Sequence, residues 1–183
     1  MKEIKKICDV EVEWINFEFH PETPKEGLLL ADRFGKDKVG QMVENLCRMG
    51  KPYGVSFADI YFMPNTRMVL EASEYAKDQG KFDIFHEKVF REHFQNLADI
   101  GKLEVVLGIA EKSGIDAGDL SKALESGAYK ERIVSERTKG LKKNVGKTPY
   151  FIVEGKYFIE RPCSIDDIIN VLIKTGKECG QNG

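Results

Sequence analysis

The sequence has few cysteines, and no two of them have the spacing of a common zinc or redox motif. It contains Cys8, Cys47, Cys163 and Cys179, and none of these forms a CxxC pair. Structural zinc sites usually use closely paired ligands, so this spacing argues against a zinc domain. In a reducing compartment we expect free thiols. A redox-sensing pair of Cys8 and Cys163 is an alternative, because both lie near predicted sheet ends.

Long apolar runs and an excess of charge of one sign are also absent. No apolar run approaches the ~20 residues that cross a bilayer. Residues 1–9 are charged and lack the apolar segment of a secretory signal. The 28 basic and 30 acidic residues are interspersed and give a net charge of −2, without the basic patch of a nucleic-acid-binding protein. We therefore expect a cytoplasmic protein that binds neither nucleic acid nor membrane.

Glycine-rich phosphate motifs and metal-ligand clusters are missing as well. Neither GxGxxG nor GxxxxGK[ST] occurs. His86 and His93 lie seven residues apart on one predicted helix. That spacing corresponds to about 10 Å, too far for one metal ion. His20 is remote in sequence. We predict packed or surface histidines and no metal site.

Two short patterns open the chain, whose 183 residues suggest one domain or one domain with an insertion. Ile4, Ile7 and Cys8 have i, i+3, i+4 spacing, which predicts one or two helical turns. In residues 9–19 apolar side chains mostly alternate with Glu and Asn, a pattern that predicts a β-strand. Prolines soon after residue 19 end this predicted strand.

Helical patterns dominate the next part of the chain, residues 28–141. The segment 82–94 carries an aromatic stripe, which is more typical of a core than of a pocket. A helical block beside a sheet can nevertheless leave a groove. The predicted helices lie near residues 27–34, 37–49, 66–79, 82–94, 103–112, 116–124 and 129–144.

A proline-led hairpin follows the helical block. Apolar runs at residues 150–153 and 157–159 are separated by a short turn that contains glycine. Pro149 stands just before the first run, where a residue without an N–H is tolerated. Spacing alone leaves open an ordinary trans proline or a cis Thr148–Pro149 bond. After the hairpin, Ser164 is a predicted N-cap of the last helix.

Several short stretches, taken together, resemble the DsbA-like thioredoxin family. They resemble in particular the branch called FrnE, which is similar to 2-hydroxychromene-2-carboxylate isomerases and kappa-class glutathione transferases. The matching stretches, in family order, are Val12-Glu13-Trp14, Phe17-Glu18-Phe19-His20-Pro21-Glu22-Thr23-Pro24, Asn65-Thr66-Arg67, Glu74-Tyr75-Ala76-Lys77, Gly80-Lys81-Phe82, Phe85-His86 with Phe90, Asp99-Ile100-Gly101, and residues 146–157.

The resemblance implies an α/β fold in which a thioredoxin-like sheet is interrupted by a large helical insertion. The core would consist of residues 1–27 and 142–176, with the insertion at 28–141 and a flexible tail at 177–183.

The resemblance also implies two site elements. In that family the hairpin proline is cis and faces the catalytic cysteines, so Thr148 and Pro149 are expected to form this cis-proline wall. The substrate groove is assigned to four further residues: His20, Asn65, Phe85 and Phe90.

The N-terminus departs from the family pattern. The family places a strand, a CxxC motif and a helix before the strand predicted here at 11–19, so we expect the first strand and most of the first helix to be missing. We assign no catalytic cysteine. Cys8 falls near the end of the first helix, where the dipole opposes a thiolate, and Cys163 is the other candidate thiol.

A missing central strand would leave backbone groups unpaired, which is costly. Three arrangements would satisfy them. Residues 11–19 could pair with residues 150–153, a second chain could fill the gap in a homodimer, or a separate N-terminal fragment could complete the fold.

The resemblance therefore implies a thiol-disulfide oxidoreductase-like protein of the DsbA/FrnE type, weak or inactive alone because it lacks the CxxC segment. Its expected partners are a protein thiol or disulfide, or a small thiol. No cofactor is expected, and glutathione is the alternative to this expectation. Two alternatives remain: a non-catalytic binding or assembly protein that uses the helical groove, and a relative of the glutathione-dependent isomerases and transferases.

Overall fold

The fold combines many α-helices with short strands, in a computed structural model that describes residues 1–160 and 164–180. Within these residues, no helix is both long and apolar enough to cross a membrane. The strands are β1 (Leu28–Leu29), β2 (Phe62–Met63), β3 (Phe151–Val153) and β4 (Tyr157–Ile159). The helices are α1 (Lys2–Ile7), α2 (Leu30–Phe34), α3 (Lys36–Gly50), α4 (Arg67–Asp78), α5 (Phe82–Phe94), α6 (Leu103–Lys112), α7 (Ala117–Ser126), α8 (Lys130–Lys142) and α9 (Ile165–Lys174).

The chain divides into two compact units. One consists of residues 1–15 and 138–183, and the other of residues 16–137. The helical unit therefore begins earlier than the expected boundary at residue 28. Residues 16–18 belong to this unit because Asn16 and Glu18 are buried and make long-range hydrogen bonds to side chains of α4.

Helix α4 lies at the centre of the helical unit. Ala72 and Ala76 are completely buried on its inner face, and their small side chains let α5, α6 and α7 pack closely against it. The helix starts where the Asn65 side chain accepts a hydrogen bond from the Arg67 amide at 3.0 Å. The buried cluster around it is formed by Val69, Ala72, Ala76, Phe85, Val89, Ile100, Val106, Ile109, Ala110, Ile115 and Leu120.

The other unit contains the hairpin and the last helix, and both confirm the sequence predictions. In the β3–β4 pair, Phe151 faces Ile159 and Val153 faces Tyr157. The turn places both Glu154 and Gly155 at positive φ, which tight hairpin turns require. Helix α9 begins with a reciprocal capping box between Ser164 and Asp167.

The predicted strand at residues 9–19 is wrong, since the structure has no strand there. The alternation suggested that apolar residues face inward, but Trp14 and Ile15 are 38% and 46% exposed, while Asn16 and Glu18 are buried. Specific polar partners, rather than a strand ladder, hold this segment. Of the three arrangements considered, the pairing of residues 11–19 with residues 150–153 is therefore not the one that the structure has, because β3 pairs with β4 alone among the described residues.

Two smaller predictions also need correction. Part of the predicted helix at 27–34 is strand β1, in which Leu28 pairs with Met63 of β2. The tail is not loose over residues 177–180, because Gly180 donates its amide to the Ile7 carbonyl at 2.7 Å and its neighbour Cys179 is covalently bonded.

Candidate functional site

The Thr148–Pro149 peptide bond is cis, the isomer that the family resemblance implies. Both residues are exposed, and β3 begins two residues later. Among the described residues β3 has a strand partner on one side, β4. An exposed proline followed by a strand with an open edge is a place where an extended peptide can lie and form backbone hydrogen bonds.

The expectation that all four cysteines are free thiols is wrong for Cys8 and Cys179, which form a disulfide. Their backbones form an isolated antiparallel bridge with Cα atoms 4.2 Å apart, so the segments around these two residues meet although 171 positions separate them. Cys8 therefore has no free thiol to act as a nucleophile. Cys47 is free and half-buried, with its sulfur 3.8 Å from the Phe57 carbonyl. Cys163 lies outside the described residues.

His20, assigned to the groove, belongs to a partly exposed polar cluster. Its Nδ1 lies 3.1 Å from Glu22 Oε1 and 3.3 Å from Arg33 Nη2. Arg33 also donates to Glu22 at 3.1 Å. Backbone hydrogen bonding and then the Arg33 bond lower the pKa of Glu22, so this carboxylate stays charged under ordinary conditions.

Asn65 lies close to His20, because both residues form hydrogen bonds with the backbone of Thr23. The Asn65 amide donates to the Thr23 carbonyl at 2.7 Å, while the Thr23 amide donates to the His20 carbonyl at 3.1 Å. The Asn65 oxygen accepts from Arg67 at the start of α4. The structure thus brings two of the predicted groove residues into one loop, where Asn65 organises the backbone.

Phe85 and Phe90 occupy opposite environments on α5. Phe85 is completely buried in the core of the helical unit and does not line an open groove, so its assignment is wrong. Phe90 is 51% exposed. It continues a row of rings in which His86 lies 5.1 Å from Phe82 and 4.6 Å from Phe90, measured between centroids. Burial lowers the pKa of His86, which favours its neutral form among these rings.

Sequence reasoning missed a buried polar contact between the loop after residue 15 and α4. Glu18 is 2% exposed and accepts two hydrogen bonds from Arg67, one of them at 2.9 Å from Nε. Asn16 donates to Glu74 Oε1 at 2.7 Å. The available signal was the spacing of Glu71 and Glu74, two acidic residues on the buried face of α4 that require partners.

Glu74 extends this contact to α8. It accepts hydrogen bonds from Lys77 at 2.6 Å and from Arg132 at 3.2 Å. Arg132 also bonds Asp78 at 3.0 Å, and that bond is the main cause of the lowered pKa of Asp78. Across residues 1–160 and 164–180, no three His, Cys, Asp or Glu side chains are grouped so as to hold a metal ion. The polar groups here bind one another instead.

Comparison with known proteins identifies the family. The model of the DSBA-like thioredoxin domain matches residues 1–167. The chain belongs to this family.

Two relatives show how far the likeness of this DSBA-like chain extends. The uncharacterised protein YwbO of Bacillus subtilis is 30% identical over 125 residues, an alignment that covers 67% of this chain. The chain matches 61% of that relative's length. The crystal structure of a probable DsbA oxidoreductase from Streptomyces coelicolor superposes with a TM-score of 0.77 at 16% identity, covering 91% of this chain and 82% of that one. At that identity the likeness concerns the fold.

The DSBA-like assignment confirms the predicted α/β thioredoxin-like fold with a helical insertion. Such domains act through a thiolate that is usually paired with a second cysteine two residues on. The printed sequence contains no such pair, and the structure places Cys8 in a bond with Cys179.

Proposed function

We propose that this protein is a thiol-disulfide oxidoreductase-like member of the FrnE branch that acts in the cytoplasm and is weak or inactive by itself. One observation carries this proposal. A DSBA-like family match over residues 1–167 coexists with a sequence that has four cysteines and no CxxC pair.

The substrate in this proposal is an extended segment that carries a thiol or disulfide, or a small thiol such as glutathione. It would lie against the cis-proline wall formed by Thr148 and Pro149. Their exposure and the open edge of β3 support this role, since an added strand gains main-chain hydrogen bonds there.

An insulin-reduction assay with dithiothreitol or glutathione tests the catalytic part. We expect a rate close to that of the reductant alone for the wild type, Cys8→Ser and Cys163→Ser. Cys47→Ser is the matched control, since Cys47 is a half-buried free thiol in the helical unit. A clear catalysed rate that disappears in Cys8→Ser or Cys163→Ser would show that the chain does carry a nucleophile.

Assembly is a separate part of the proposal. The open edge of β3 is where a strand from a second copy, or from a complementing N-terminal peptide, would add. Sedimentation equilibrium distinguishes these cases, because a homodimer doubles the mass and a complementing peptide raises it only when supplied. A monomer that binds no such peptide would argue against both.

A binding role without catalysis is a second candidate. The row of rings Phe82, His86 and Phe90 on α5, in which Phe90 is 51% exposed, supports it, because a contiguous apolar patch on a helix surface favours partner contacts. A reduced-insulin aggregation assay tests this role. Protection by the wild type that is weakened in Phe90→Ala would support binding, and equal protection by both would argue against the α5 surface. The glutathione-dependent alternative would show as retention on immobilised glutathione.

A further inference from the structure

The disulfide Cys8–Cys179, called the terminal disulfide below, joins the end of the first helix to the last described segment. Its two residues are paired as an antiparallel bridge, and Gly180 donates its amide to the Ile7 carbonyl at 2.7 Å. Two kinds of contact therefore hold residues 177–180 against the end of α1, one covalent and one a backbone hydrogen bond.

Helix α1 depends on its surroundings. It has six residues, and an isolated helix of this length is not stable in water. Ile4 and Cys8 are 1% and 3% exposed, and they belong to an apolar cluster with Ile168 and Leu172 of α9. Packing and the terminal disulfide together keep this helix formed and keep the apolar face of α9 covered.

Cys8 and Cys179 differ in how far solvent reaches their side chains. Cys8 is buried in the apolar cluster, whereas Cys179 is partly exposed in a segment whose neighbours are exposed. A thiolate from solvent therefore reaches the Cys179 side of the bond. Cys47 is a free thiol in the other unit.

We propose that the terminal disulfide is a redox-sensitive switch, whose reduction by a low-molecular-weight thiol releases residues 177–180 and loosens α1 from the apolar face of α9. It does not require a catalytic cysteine, so it is independent of the function proposed above.

The chemistry is two thiol-disulfide exchanges. A thiolate attacks the Cys179 sulfur, a mixed disulfide forms there, and the Cys8 sulfur leaves and takes up a proton. A second thiolate attacks the outer sulfur of the mixed disulfide and releases Cys179. The protein disulfide gains two electrons, and two small thiols become one small disulfide.

The energetic consequence is concentrated in the two segments that the bond joins. The bond ties the end of the six-residue α1 to residues 177–180, and segments with so few other contacts open locally. After reduction, α1 is held only by the contacts of a six-residue helix. Local opening of the two ends should then occur much more often than opening of the helical unit.

The test uses a full-length Cys47→Ser/Cys163→Ser variant, in which Cys8 and Cys179 are the only thiols. Amide hydrogen exchange is compared in the oxidised protein and after dithiothreitol. We expect reduction to accelerate exchange by about tenfold or more in residues 2–8 and 165–180, and to leave α4 and α5 unchanged. Equal protection in both states would overturn the proposal. So would failure of the bond to form under air or glutathione disulfide.

Two further measurements separate the switch from general destabilisation. Cys179→Ser in the same background should reproduce the exchange pattern of the reduced protein without reductant. Limited glutathione treatment followed by peptide mass spectrometry should find glutathione on Cys179. Glutathione found on Cys8 instead, or faster exchange throughout α4 and α5, would contradict the proposed mechanism.

Discussion

Glu18 and Arg67 form a two-point ion pair in which the carboxylate is buried and the guanidinium reaches the surface. The side chains are 2% and 31% exposed. Arg67 Nε donates at 2.9 Å, and a second bond comes from Nη2. Arg137 Nε donates to the Glu18 carbonyl at 3.1 Å, so the backbone of the same residue is also fixed.

Glu18→Ala should destabilise the protein by about 2–3 kcal/mol, because removing one partner leaves a charge that is incompletely solvated. This predicted loss of stability is smaller than the loss expected on breaking a fully buried ion pair, because Arg67 is partly exposed. Urea unfolding measures the change. Glu3→Gln is the control, since the Glu3–Lys6 pair is 61% and 67% exposed and should change stability by less than about 0.5 kcal/mol. Equal urea midpoints for both variants would contradict the role given to Glu18.

Glu71→Gln should stabilise the protein at neutral pH. Burial raises the pKa of Glu71, and nearby Lys130 and Arg67 only partly oppose this effect. A raised pKa means that the protonated form favours folding below the unfolded value of 4.5, and that this contribution is lost as the pH rises through the folded pKa. The side-chain amide introduced by Glu71→Gln stays neutral at every pH in this range, so the variant does not lose this contribution to stability when the pH rises.

The pH dependence makes the Glu71 prediction specific. The advantage of Glu71→Gln over the wild type should be largest at neutral pH and should disappear below about pH 4, where both side chains are neutral. Urea midpoints across this range measure it. A variant that is less stable than the wild type at neutral pH would show that the carboxylate makes a needed contact.

Phe85→Ala and Phe90→Ala should separate core from surface on α5. Phe85 has no exposed area, and its truncation should cost about 3–5 kcal/mol. Phe90 is 51% exposed, and its truncation should cost less than about 1 kcal/mol. Thermal or urea unfolding compares the two directly. Similar losses for both would mean that Phe90 packs more tightly than its exposure indicates.

Local signals were sufficient where a few neighbouring residues decide the structure. The hairpin could be predicted because two apolar runs flank a turn that tolerates positive φ at Gly155. The start of α9 could be predicted because Ser164 and Asp167 form their capping box within one turn. Each of these features depends on contacts between residues at most eight positions apart.

Long-range contacts could not be predicted from the same signals. The alternation in residues 9–19 indicated a strand, yet Asn16 and Glu18 are buried because Glu74 and Arg67, 58 and 49 positions away, supply their hydrogen bonds. The pairing of Cys8 with Cys179 was equally hidden, since nothing in the spacing of cysteines tells which chain segments meet.

Alkaline pH should weaken the protein through Tyr129. Burial, followed by its hydrogen bond to Asp78, raises the pKa of Tyr129 from 10.0 to about 12. Its hydroxyl donates to Asp78 at 2.8 Å. The stability that this group contributes is complete below about pH 10 and is lost as the pH rises through the folded pKa, because the unfolded chain releases the proton first.

Tyr129→Phe tests this directly. The variant should have a lower urea midpoint than the wild type at neutral pH, because Asp78 loses a donor. The difference should shrink between about pH 10 and 12, the interval between the two pKa values. In ultraviolet titration, the tyrosinate signal lost in Tyr129→Phe should be the part that develops last. If Tyr129→Phe instead removes signal that develops near pH 10, the hydroxyl is ionised as in an unfolded chain and the Asp78 bond does not protect it.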